Sequence, residues 1–353
     1  MRFLALLFIT VLFVASSCED DDPMIIDRPD YDPTPYSLDY PSYLPIMEIP
    51  EDNPMTEEGV SLGRMLFYDP ILSADSTLSC AGCHKMEYSF TDERQFSVGI
   101  DGSVGTRQAM HIVNIGWMPD LFWDGRSQGL EAQALEPVIN PIEMMDTWPN
   151  VVNKLSNHDD YPDLFWAAFG EDQITKEQVV KAIAQFERTM ISGDSRYDLI
   201  VERNEGFFTD AELEGFEIFN TERGDCFHCH GGILFTDNLF HNNGLDSVFP
   251  DIGLEEVTGD PLDRGLFKTP GLRNIELTAP YMHDGRFETL EEVIDHYSEG
   301  LVYSETIDPL MKQIAQGGIQ LTDQEKASLL AFLKTLTDTS FINNPAFKNP
   351  FED

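Results

Sequence analysis

Basic residues are scarce: 22 Lys and Arg stand against 63 Asp and Glu, a formal charge of -41 over 353 residues. A chain this acidic has no face to offer phosphates, so nucleic acid is excluded, and any macromolecular partner is expected to be basic or neutral. Long apolar runs are equally rare, and the one at residues 3–14 is too short to span a bilayer. Clean alternation of apolar and polar residues is scarce too, which leaves no βαβ setting for a thioredoxin-like redox pair. Cysteine is limited to Cys18, Cys80, Cys83, Cys226 and Cys229. Apolar side chains are plentiful, at 42% with 11% aromatic, ample for buried cores in a chain long enough for two domains.

The start, "MRFLALLFITVLFVASSC", has a short basic end, an apolar run and small residues before a cysteine. It reads as a signal peptide over residues 1–17 with Cys18 as a lipid-anchored first residue; an ordinary cleaved signal with an incidental Cys18 is the alternative. Residues 18–50 are acidic and proline-rich without a sustained period, which predicts an extended tether. From residue 51 the pattern turns helical. "EEGVSLGRMLFYD", "TKEQVVKAIAQFERTMIS", "TDAELEGFEIFN" and "TDQEKASLLAFLKTLT" place apolar residues three and four apart, and Thr209 with Glu212 and Thr322 with Glu325 spell capping boxes. The expected fold class is mostly α.

The chain also repeats itself. "FWDGRSQGLEAQALEP" at residues 122–137 returns as "MHDGRFETLEEVIDHY" at residues 282–297. Asn114-Ile115 and Asn274-Ile275 each lie ten residues before the shared Asp. Gly63-Arg-Met-Leu-Phe67 and Gly215-Phe-Glu-Ile-Phe219 precede the two cysteine pairs. These fixed points predict two domains related by internal duplication, at 51–204 and 205–340, followed by a tail at 341–353.

Both cysteine pairs have the form C-x-x-C-H, "CAGCH" at Cys80, Cys83 and His84 and "CFHCH" at Cys226, Cys229 and His230. Two thiols at this spacing can add to the vinyl groups of a haem while the next histidine ligates its iron. A four-cysteine zinc site would need the pairs brought together over a far longer interval than a zinc ribbon uses, and would leave both histidines unexplained. Two covalent haem c groups are therefore expected, with His84 and His230 on iron. In the aligned repeats Tyr297 stands opposite Pro137, which has no side-chain donor, so one haem is expected closed and the other open.

Taken in order, "LGRMLFYDPILS", "SCAGCH", "FWDGRSQGLEAQALEPVINPIEM", "GDCFHCH" and "FKTPGLRNIELTAPYMHDGRFETLEEV" resemble the bacterial di-haem cytochrome c peroxidase and MauG family over roughly residues 55–335. The resemblance implies two cytochrome c-like helical domains, an N-terminal haem that meets peroxide and a C-terminal haem that passes electrons. It matches Trp123 to the tryptophan between the haems, and Gln133 and Glu143 to the glutamine and glutamate of the peroxide pocket. A carboxylate in reach of peroxide can carry a proton from one oxygen to the other, and an amide can orient it. Where many members carry a blocking histidine this chain has Ile100; His111 lies nearby as a substitute ligand or a packed core residue. Tyr297 falls where peroxidases carry methionine and MauG carries tyrosine, with Met282, His283 and His296 as other candidate ligands and plain packing as the alternative for Tyr297. Gln108, Thr278 and Pro280 match a calcium site. The implied activity is reduction of hydrogen peroxide with electrons from a small c-type cytochrome. A MauG-like oxidase acting on a protein or organic substrate is the second reading, and a di-haem electron carrier the third. The expected setting is the periplasm of a Gram-negative bacterium, with the lipid anchor as the sole membrane attachment and room for a homodimer.

Overall fold

Threonine opens the longer helices of the computed structural model, which describes residues 28–352; the expected signal segment and Cys18 lie outside the described residues. In chain order the helices are α1 (Glu57–Tyr68), α2 (Leu130–Gln133), α3 (Leu135–Ile139), α4 (Trp148–Ser156), α5 (Tyr161–Phe169), α6 (Lys176–Arg188), α7 (Asp210–Phe219), α8 (Glu255–Thr258), α9 (Leu290–Asp295), α10 (Asp323–Lys334) and α11 (Thr339–Ile342). Thr175, Thr209, Thr289 and Thr322 each form a complete capping box, which satisfies amides that the first turn leaves orphaned. Among the described residues the strands are two short antiparallel ribbons, β1 (Asp120–Leu121) with β2 (Ser127–Gln128) and β3 (Phe240–His241) with β4 (Phe267–Lys268). The molecule is mostly α, as expected.

Two glycines set how the long helices cross. A Cβ on Gly63 of α1 would collide with the Ala182 carbonyl of α6 and meet Phe186. One on Gly215 of α7 would collide with the Ser328 carbonyl of α10 and meet Phe332. Around the first crossing lie Leu62, Leu66, Val179 and Ile183, packed with α4 and α5. Phe67, Phe90, Phe186 and Met190 form an adjoining cluster. Around the second crossing lie Ile218, Phe219, Phe235, Leu329, Phe332 and Leu336.

Two expectations are corrected here. Residues 341–352 are no free tail: Phe341 and Phe347 are buried with Phe67, Phe90 and Phe186 in the first half's core. The Phe347 carbonyl accepts from the Tyr68 hydroxyl at 2.5 Å, and the Lys348 carbonyl from Arg64 Nε at 2.7 Å. Of the segment expected as a tether, residues 28–50 form no helix, and from Asp32 on they belong to the same unit as the rest of the fold. Leu44 and Met47 are buried, Thr34 and Tyr36 pair with the backbone of Glu57 and Met55, and Trp117 Nε1 donates to the Pro45 carbonyl. Apolar side chains spaced irregularly in a proline-rich stretch make no helix face, so their docking is invisible to a periodicity argument.

The repeated segments meet in the middle. Gln108 N–H donates to the His283 carbonyl at 2.8 Å, and Lys268 N–H donates to the Trp123 carbonyl at 2.9 Å. Gln108 and Lys268 are 160 residues apart, as are Trp123 and His283, so matched positions exchange matched bonds. Phe122 and Met282 both take a left-handed backbone, at φ 64° and 75°, which turns the residue after each toward the opposite half.

Candidate active site

Each cysteine pair lies on a single tight turn that leads into its histidine. His84 N–H bonds the Cys80 carbonyl, and His230 N–H bonds the Cys226 carbonyl, both at 2.9 Å. The chain then passes through left-handed residues, Ser89 and Phe90 in one half and Phe235 in the other. That turn aims a carbonyl back at the imidazole: Phe90 O lies 2.9 Å from His84 Nδ1, and Phe235 O lies 3.1 Å from His230 Nδ1. A carbonyl can only accept, so Nδ1 holds the hydrogen and Nε2 keeps its lone pair. Burial lowers both histidine pKa values, which favours the neutral form a metal ligand requires.

Beside these turns lie two unequal cavities. The first, about 1280 Å³, is bordered by Cys83, His84, Gln133, Pro137 and Glu143. The second, about 210 Å³, is bordered by Cys226, Cys229, His230, Met282, His283 and Tyr297. Trp123 is buried between them and borders both, with Nε1 donating to the Gln108 carbonyl at 2.8 Å.

Glu143 is held in place at the first cavity. Asn140, at the end of α3, donates from Nδ2 to Glu143 Oε1 at 2.6 Å, and burial pushes the carboxyl above the ordinary range while Arg126 opposes the rise. Arg126 lies 3.5 Å over the Phe122 ring, with Nε 2.7 Å from Glu136 and Nη1 3.0 Å from Asp124. The loop carrying Ile100 closes over this corner: Ile100 N donates to the Glu143 carbonyl at 3.0 Å, and Gly99 fits where a Cβ would meet the Ile142 carbonyl. Val98 and Gly99 border the cavity and Ile100 does not.

Tyr297, Met282, His283 and His111 all border the second cavity. The Tyr297 hydroxyl is enclosed there, 3.3 Å from Asn243 Nδ2, and burial pushes its pKa up to about 12. A phenolate at this place would need a cation in contact. Met282 Sδ shares the same Asn243 donor at 3.4 Å. His296 turns Nε2 to the Asn243 carbonyl at 3.0 Å, whereas His283 stacks flat on Phe267 at 3.7 Å with Nδ1 unpartnered. His111 Nε2 is engaged by the Gly271 carbonyl at 2.9 Å. Gln108, Thr278 and Pro280 all border this cavity, with Gln108 Nε2 donating to Thr91 Oγ1 at 2.6 Å. The thiol pairs, the fixed imidazoles and the cavities beside them fit a c-type haem in each half.

A family model described as "Di-haem cytochrome c peroxidase" matches residues 57–206. The methylamine utilization protein MauG of Methylophilus methylotrophus is 33% identical over 81% of this chain and 84% of its own length. The chain belongs to the di-haem cytochrome c peroxidase family. The cytochrome c551 peroxidase of Nitrosomonas europaea is likewise 33% identical, over 87% of this chain and 86% of its own. Among solved structures, a MauG-like protein described as associated with microbial copper homeostasis superposes with a TM-score of 0.84. It is 40% identical and covers 90% of this chain and all of that one.

For a member of this family, two side chains at the cavities escaped the sequence reading. Lys268 is buried and borders both cavities, Nζ lies 2.8 Å from Asn238 Oδ1, and burial lowers its pKa to about 8. Its place 160 residues after Gln108 was the available signal. Glu187, near the end of α6, borders the first cavity and is buried. It continues the apolar stripe of Val180 and Ile183 at helical spacing, where a carboxylate is out of place.

Proposed function

We propose that this di-haem c-type peroxidase reduces hydrogen peroxide to water, one peroxide with two electrons and two protons giving two waters, and draws its electrons from a small c-type cytochrome. The observation that carries the reading is the inequality of the cavities, with Glu143 and Gln133 beside His84 and Tyr297 beside His230. Cys80 and Cys83 hold one haem c, Cys226 and Cys229 the other, and His84 and His230 ligate through Nε2. The haems supply the redox-active iron at which peroxide is cleaved.

The chain's own residues do the rest. Glu143 takes a proton from one peroxide oxygen and returns it to the other; Asn140 fixes Oε1, leaving the second carboxyl oxygen to exchange the proton. Gln133 orients peroxide with its amide. Pro137 offers no ligand and keeps that side accessible, while Tyr297 closes the second site. Trp123, against both cavities, couples the two halves. The matched glycine crossings and exchanged backbone bonds support reading 51–204 and 205–340 as duplicated cytochrome c-like domains, peroxidatic first and electron-transferring second.

The proposal includes an exported, lipid-anchored protein in the periplasm, able to dimerise. It also includes calcium at Gln108, Thr278 and Pro280, supported by their common border on the second cavity and tested by calcium titration calorimetry. Tyr297 is the observation that favours the second reading, an oxidase that draws electrons from a protein or organic substrate. Steady-state turnover of peroxide with a reduced cytochrome c separates the two: sustained cytochrome oxidation is expected, and its absence alongside oxidation of another substrate would reverse the order.

A further inference from the structure

Glu187 has no part in the scheme above, yet it stands inside the first cavity. Its side chain is 6% exposed, borders that cavity, and leaves Oε2 without a hydrogen-bond partner. A buried carboxyl with a free oxygen is costly as an anion and inexpensive as an acid, provided something nearby makes the proton useful. The neighbouring cation does not neutralise it. Arg188 places Nη1 2.8 Å from Glu131 Oε1 and Nη2 2.9 Å from Glu131 Oε2, so its charge is committed to α2.

The charged groups close enough to act on Glu187 are Arg188 and Glu131, and Glu187 in turn raises the pKa of the Cys80 thiol, the group that becomes a haem thioether. The ionisable residues of α1, α4 and α5, which pack on α6, are engaged elsewhere: Glu58 bonds Thr34, Arg64 the Lys348 carbonyl, Tyr68 the Phe347 carbonyl, Lys154 pairs with Asp146, Tyr161 bonds Asp69, and Glu57 and Asp163 are exposed. The turn Ile115–Trp117, packed on α6, carries no ionisable side chain. Burial pushes the Glu187 pKa up to about 8, so the acid form predominates at neutral pH and the anion comes within reach just above it.

The second half lacks this group. Phe186 and Phe332 occupy the same place over Gly63 and Gly215, and the residue after Phe332 is the buried Leu333. An acid in one cavity and a leucine in the other make the two irons differ in what a proton can do for them.

We propose that Glu187 is the proton-storing residue of the first haem: above neutral pH, where the carboxylate is present, reducing the iron draws one proton from solvent onto it, and oxidising the iron releases that proton. One electron from the donor and one proton from water enter together, so the charge added beside a buried carboxyl is cancelled where it is added. Glu187 is a positioning residue for charge. The inference rests on a haem at Cys80, Cys83 and His84.

The test is potentiometric titration of the loaded protein across about pH 6 to 9, following each haem by its own spectrum, in wild type, Glu187→Gln and Glu187→Leu. In wild type the reduction equilibrium of the first haem should be level in the acid part of that window and fall by up to about tenfold per pH unit above about pH 7, equivalent to about 59 mV. Both variants should flatten that slope to less than about twofold per unit, and the second haem should be unchanged in all three. Infrared redox-difference spectra should show a protonated-carboxyl band that Glu187→Gln abolishes. An equal slope in wild type and variants, or a band that survives the substitution, overturns the proposal. Loss of the haem bound at Cys80 and Cys83 from wild type itself would instead overturn the functional reading on which it rests.

Discussion

Replacing Glu143 with Gln should remove one exchangeable proton and little else. A glutamine oxygen keeps the 2.6 Å bond from Asn140 Nδ2, and the 3.0 Å bond from Ile100 N to the residue 143 carbonyl belongs to the backbone. The lost property is acidity. Burial raises the Glu143 pKa and Arg126 pulls it partly back, a balance that moves a carboxyl toward the working range of a general acid-base group. Such a group contributes about 100-fold or more, which is about 2.7 kcal/mol of barrier. The assay is rapid mixing of peroxide with the fully loaded variant, monitored at the first haem, with haem content and both potentials measured in parallel. The expected outcome is peroxide cleavage slowed by about 100-fold with both haems retained and potentials unchanged. Cleavage within about threefold of wild type would refute Glu143 as the proton carrier and direct the search to Glu136 or a water chain.

Tyr297→Phe keeps the packing of the second cavity but deletes the hydroxyl beside Asn243; the second haem should become high-spin or take another ligand and rise in potential, and unchanged magnetic resonance spectra would reduce Tyr297 to packing. Arg273→Met strips the buried Asp198 of two 2.8 Å bonds and leaves it only Ser195; unfolding free energy should fall by about 3–5 kcal/mol, and a loss under about 1 kcal/mol would show the pair to be solvated. Glu187→Gln should also change the pH dependence of stability. A carboxyl raised from 4.5 to about 8 costs the fold increasingly as pH climbs through that window, so the variant should melt higher than wild type at about pH 9 and equally at about pH 4. Equal melting at both ends would place Glu187 in contact with water.

Local chemistry was legible in the sequence because it is carried by near neighbours along the chain. C-x-x-C-H puts two thiols and an imidazole on one turn wherever the turn sits, so Cys80, Cys83, His84 and their second copies needed no fold to be read. The capping boxes at Thr209 and Thr322 and the mostly helical class were equally local, since both follow from residues three and four apart. The repeat went one step further by aligning Tyr297 with Pro137. Tertiary structure alone decided what lies between the copies. The exchange of backbone bonds among Gln108, His283, Lys268 and Trp123 joins segments 160 residues apart, and no periodicity encodes it. The docking of Phe341 and Phe347 into the first core likewise depends on a distant surface of the right shape, which is why that stretch reads as a tail. Glu187 shows the limit most clearly. Its position on the buried stripe of α6 was written in the spacing, but burial without a partner, beside a cavity rather than inside a packed core, exists only once the chain has closed around it, and that closure is what turns an ordinary carboxylate into an acid.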